Sequence, residues 1–251
     1  MVSPWLRALA LAAAAFWSVL FFGFVDLSTL YDPGEFVGVV PLDVSWGAFF
    51  TFVVAGAFVH VALHPRDRIP PAVQLLAAAG TLTVGAVGGL HPEPLIVAAV
   101  LALAGGLLLR GTGWRSGLPR RAIRVSWPLL AVAVVGLPFW VAYAWSALAS
   151  SRLALDDDIS VGVPHWPVQA AAGLVVVALS VTAALWPGGR RLLSASVCLT
   201  ATFLGAATLA YPTATGAMAG RGAGLAAMVF GLAVGLLPPA RRGDREGPAG
   251  A

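Results

Sequence analysis

The 251-residue chain contains no lysine and no asparagine, a single cysteine, and little charge of either sign. Without lysine there is no Schiff base to retinal or pyridoxal phosphate and no phosphate-binding P-loop lysine. Cys198 alone cannot form an intrachain disulfide, and it says nothing of the redox compartment. The four histidines are too few for a histidine-rich membrane di-iron site. Charged residues make up 10% of the chain, against about 25% in an ordinary soluble domain, which argues against a soluble fold.

What is present is apolar. Hydrophobic residues reach 59%, with a mean hydropathy of +0.88. They come in blocks of about twenty, the length that crosses the roughly 30 Å hydrocarbon core at about 1.5 Å per residue. Only helices or closed barrels satisfy the backbone in lipid, and barrel strands would alternate apolar with polar. These blocks do not alternate. The expectation is an all-α polytopic transmembrane bundle of eight helices.

The blocks run from Leu6 to Val25, Trp46 to Leu63, Pro70 to Leu90, Pro94 to Leu109, Val125 to Ala149, Trp166 to Trp186, Leu192 to Ala210 and Ala217 to Leu237. The first is too long and unbroken for a signal-peptide core and reads as a retained helix. Residues 1–110 form a first four-helix unit, 111–124 a basic linker and 125–237 a second unit. Residues 238–251 form a short polar tail, expected to be disordered on the cytoplasmic side.

Charge sets the orientation. With the amino terminus in the cytoplasm, every arginine except Arg152 and Arg221 falls in a cytoplasmic segment. Arginine excess on that side is what the positive-inside bias requires. The expected location is therefore the plasma (inner) membrane, with both termini cytoplasmic. The acids Asp26, Asp32, Glu35, Asp43, Glu93 and Asp156 to Asp158 fall outside. Trp5, Trp46, Trp127, Trp145, Trp166 and Trp186 lie near helix ends, where an indole suits headgroup depth. The arginines flank apolar blocks and form no basic domain, so no nucleic-acid partner is expected.

The halves share a layout. Trp46 and Trp166, Pro65 and Pro187, and Pro92 and Pro212 stand 120, 122 and 120 residues apart. This near-constant spacing suggests two parallel four-helix repeats related by an axis along the membrane normal.

Candidate chemistry is sparse. His60 and His64 have the spacing of two ligands on one helical face, with Asp67 beyond, but Pro65 disfavours helix at His64. No metal and no cofactor are expected. His91 and His165, with Ser45, Asp43 and Asp156 to Asp158, are the candidates for an outer-face site. Trp17 and Trp140, equivalent in the two units, would line a cavity between them, together with His60. No Asp, Glu, Lys or Arg lies at mid-helix, and His60 and Cys198 are the titratable groups at depth, which disfavours an ion-driven pump. The last helix carries Gly216, Gly220, Gly224, Gly231 and Gly235, a small-residue face for packing in the bundle or for a homodimer.

The expected role is a non-enzymatic, permease-like or accessory membrane component. It would handle an uncharged or apolar ligand, or a partner bundle, within the lipid bilayer. The alternative is a membrane-embedded enzyme with an outer-face site using His165 or His91 and nearby acids.

Overall fold

Prolines set where several helices begin. Pro41, Pro70, Pro71, Pro94 and Pro128 all occupy first-turn positions. There a missing N–H breaks no intrahelical bond. The computed structural model describes residues 4–110, 112, 123–153 and 164–237. The tail, nearly all of the basic linker and Asp156 to Asp158 lie outside the described residues.

Among the described residues the chain is helical, with no strand. The helices are α1 (Pro4–Leu20), the short α2 (Gly23–Ser28), α3 (Val40–Leu63), α4 (Ile69–Gly89) and α5 (Pro94–Leu109). After the linker come α6 (Trp127–Arg152), α7 (His165–Leu185), α8 (Arg190–Ala210) and α9 (Arg221–Leu236). Five of them, α3, α4, α6, α7 and α8, are long and apolar enough to cross a membrane, while α1, α5 and α9 are shorter apolar helices. Their length and composition mark a membrane protein.

The centre is built on α3 and α7, the most buried long helices. Helix α4 packs on α7, and α3 packs on both α7 and α8. Helices α5, α6 and α9 lie against α4, α7 and α8 respectively. Glycines permit the closest approaches. A side chain at Gly85 would strike the Pro167 carbonyl, and Gly205 and Gly224 bring α8 and α9 backbone to backbone. Gly136 leaves the slot filled by the Phe230 ring.

Two elements depart from the sequence reading. The first apolar block is not one helix to Val25. It widens into a π-helical turn at Phe16–Leu20, breaks at Phe22 with φ +62°, and restarts as α2. The break brings Gly23 against Thr51 and the Trp17 carbonyl, a seat with no room for a Cβ. Helix α3 starts at Val40, six residues before Trp46, and carries a second π-helical segment at Phe49–Ala55. The indoles also divide. Trp5, Trp127 and Trp145 are exposed, whereas Trp46, Trp166 and Trp186 are buried and do not face headgroups.

Candidate functional site

The break after α1 has a chemical consequence. It folds Asp26, on α2, back toward the first turn of α3 and the first residue of α7. His165 Nε2 lies 4.0 Å from Asp26 Oδ2 and 4.0 Å from Asp43 Oδ1. All three side chains are largely buried, with the His165 and Asp43 side chains each 6% exposed. Burial pushes the Asp26 carboxyl up to about 7; His165 opposes the shift and Asp43 adds to it. Asp26 Oδ2 is buried and accepts no hydrogen bond from the described residues. The expectation of a bundle interior without ionisable groups is corrected here. The charges lie at helix ends in sequence, but the fold covers them.

Aromatic rings form the next layer. The Trp46 ring lies 4.7 Å from His165, and its Nε1 donates to the Phe21 carbonyl at 3.0 Å. Phe21 stacks on Trp46 at 5.4 Å, and Phe50 contacts both. These three rings line a small apolar cleft of about 90 Å³, completed by Leu82, Val97, Val168, Pro94, Pro164 and Glu93. Trp46 therefore has a polar cluster on one side and an apolar cleft on the other.

Further polar contacts join the helices at the same end. Gln169 Nε2 donates to the Tyr143 hydroxyl at 2.8 Å and to the Gly216 carbonyl at 2.7 Å. Gly216 adopts φ +83° there, and a side chain would crowd Leu42. Ser151 and Arg152 of α6 donate to the carbonyls of Gly89 and Gly88 at the end of α4. Deeper in the bundle, Gln74 is fully buried. Its Nε2 donates to the Val53 carbonyl at 2.6 Å and to Ser196 Oγ at 2.9 Å, and Ser196 donates to the Phe52 carbonyl at 3.0 Å. Both carbonyls belong to the π-helical segment, whose widened turn releases acceptors from the regular ladder.

The predicted site residues are scattered. His165 lies in the cluster. Trp17 is buried and stacks on Phe50 at 5.5 Å, one ring away from the cleft. Trp140 is fully buried among Phe139, Tyr143 and Phe230, and its Nε1 has no hydrogen-bond partner. His91 is exposed and lies 3.8 Å from Glu93. His60 lies at the opposite end, 3.3 Å from Asp67. His64 is outside the helix, as Pro65 demands, yet its ring still lies 4.9 Å from that of His60. Among the described residues no three side chains converge as a metal site.

Asp26, Trp46, Gln74 and Gln169 were not singled out as site residues from the sequence. The glutamines did carry a signal. They are the only two amide side chains of a chain without asparagine, and each stands within an apolar block. Asp26 gave none, because its partners come from α3 and α7.

Compared with known proteins, the chain matches no family model, no curated protein and no solved structure.

Proposed function

We propose that the chain is a multi-pass membrane protein of eight spans, a permease-like or accessory component that takes an uncharged or apolar ligand into the cleft walled by Trp46. The observation that carries this reading is the cleft itself. It is lined almost wholly by apolar side chains and lies at one end of the bundle. A ligand drawn from the bilayer needs no charge partner there, and among the described residues Glu93 is the one ionisable group on its wall.

The short helices α1, α5 and α9 complete the span count. At 16 or 17 residues each reaches about 25 Å, within what local thinning of a bilayer accommodates. Arginine placement supports the orientation, with the Asp26–Asp43–His165 end outside and His60, Arg190 and both termini in the cytoplasm.

Packing supports a duplicated architecture. If the first four spans correspond to the last four, the α4–α7 contact must recur as α8–α3. Both contacts are made. A pair of equivalent residues that touch each other must lie close to the relating axis. Gln74 and Ser196, 122 residues apart, hydrogen-bond at 2.9 Å, and that spacing is the one between Pro65 and Pro187.

Acyl chains brominated near the headgroup test the ligand reading. In vesicles of such lipid, emission of the wild-type protein minus that of Trp46→Phe should be strongly quenched. A Trp46 contribution untouched by brominated chains would remove the apolar-ligand reading.

One arrangement favours a second reading, an outer-face enzyme. His165 beside two carboxylates resembles the base-and-orienter pair of acid–base catalysis. The serine read from the sequence as a candidate is turned away: Ser45 Oγ donates to the Leu42 carbonyl of its own helix. Such an enzyme would have to activate water, and the non-enzymatic reading stands first.

A further inference from the structure

We propose that Asp26, Asp43 and His165 form a proton-binding site that holds α2 shut beside the cleft and releases it when the carboxylates ionise. The part that concerns the cleft rests on the ligand reading above; the proton site does not.

Three independent features meet here. The first is the cluster, which brings α2, α3 and α7 together at a single imidazole nitrogen with a carboxylate oxygen of Asp26 and one of Asp43 each 4.0 Å away. An ionised Asp26 would place a negative charge under cover beside the Asp43 carboxylate, with no hydrogen bond to its Oδ2 from the described residues, which burial disfavours strongly. A proton held in the cluster removes that charge. The second is a hinge. Phe22 connects α1 to α2 at φ +62°, a conformation that costs a bulky L-residue free energy and persists only while its surroundings enforce it. The third is the linkage to the cleft. Phe21, next to the hinge, accepts the Trp46 indole N–H and lines the cleft, while Trp46 lies against His165.

The sequence of events follows. With the proton bound, Asp26 stays under cover and α2 lies closed. When the proton leaves, Asp26 and Asp43 repel and hydration of Asp26 is favoured. Helix α2 then turns about Phe22, withdraws the Phe21 carbonyl from Trp46 and opens one wall of the cleft. Other titratable groups near α2 do not compete among the described residues. Asp32 and Glu35 are exposed, Tyr211 donates its hydroxyl to the Leu30 carbonyl, Glu93 lies beside His91, and Arg152 is engaged by Gly88.

Spin labels at Ser28→Cys and Leu153→Cys, in the full chain with Cys198→Ala, read the α2 position without any ligand; both sites are exposed. The distance distribution should be narrow at pH 5.5 and longer or broader at pH 8.5, with a midpoint near neutrality. Asp26→Asn should stay closed at both pH values. Asp43→Asn should lower the midpoint and His165→Gln should raise it, because they remove charges of opposite sign. A distribution that ignores pH in the wild type, or midpoints that do not move in opposite directions, overturns the proposal. The two midpoint shifts decide the matter even where Asp26→Asn does not fold. Trp46 quenching lost while α2 still moves with pH removes only the ligand reading. Quenching intact with α2 immobile removes only the proton site.

Discussion

Asp26 holds its proton in the folded chain through a pH range in which an unfolded chain has released it. Its carboxyl is raised from the ordinary 3.8 to about 7, chiefly by burial. A raised value means the folded state binds the proton more tightly, so stability must fall as pH rises between those two values. The contribution is fully present below about pH 4 and lost above about pH 7. A shift of this size corresponds to roughly 4 kcal/mol. Thermal unfolding in detergent should therefore show the wild type losing stability from pH 5 to pH 8. Asp26→Asn should flatten that slope and unfold at a higher temperature than wild type at pH 8. A wild-type slope of the opposite sign would mean that Asp26 is ionised and paired throughout. Gln74 is the second residue of this kind. Gln74→Leu strips a donor from the Val53 carbonyl and from Ser196, and should cost about 1–3 kcal/mol in the same assay. Little of this was legible in the sequence. Aspartates flanking apolar blocks look like interfacial residues until three elements close over them, and no spacing rule links positions 26, 43 and 165.

Helix positions were more legible, because proline, arginine and apolar length are local signals. Helices α4 and α5 begin within a residue of the positions read from Pro70 and Pro94. The breaks inside apolar runs were not legible. Nothing in the Phe16 to Val25 composition announces a π-helical turn, since the cause is the tertiary seat of Gly23 against Thr51 and the Trp17 carbonyl. The glycines of α9 separate into two kinds for the same reason. Gly231 packs on the Cys198 carbonyl at 2.9 Å from where a Cβ would stand, and Gly224 packs on Gly205, so this face is covered by α8. Gly220 has open space and instead supplies φ +83° at the entry to the helix, which corrects its expected role as a packing glycine. Gly231→Leu should thus lower the melting temperature in detergent through overpacking, by about 1–3 kcal/mol. Gly220→Ala should cost about 1–3 kcal/mol through backbone strain alone, since φ +83° with ψ 179° is nearly exclusive to glycine. Equal tolerance at both sites would contradict the close α8–α9 contact. Arg190 ties the opposite end: its guanidinium donates to the carbonyls of Ala183, Ala184 and Arg124. Arg190→Gln should destabilise by about 1.5–3 kcal/mol, and Arg190→Lys should restore only part of that, since a single ammonium cannot span three carbonyls.

On the scale of the whole molecule, the alternation of arginine-rich and acid-bearing connections carries the reading. The described helices alternate in the same sense. The starts of α3 and α7 and the end of α4 meet around His165 and Pro167, while the end of α7 and the start of α8 meet around Arg190. Asp26, Asp43 and His165 therefore share one end of the bundle, and the arginines of the α7–α8 turn share the other. The proposed repeat was half legible. Its punctuation lies in the sequence, but the reciprocal α4–α7 and α3–α8 packing and the Gln74–Ser196 contact needed coordinates. The cluster, the hinge and the cleft all presuppose eight crossings with the His165 end facing out. Membrane-impermeant labelling of single cysteines at Ser116 and Ser160, in intact cells with Cys198→Ala, tests that directly. Ser160→Cys should react from outside and Ser116→Cys only after the membrane is opened. Both reacting from the same side would contradict the eight-span arrangement on which the rest depends.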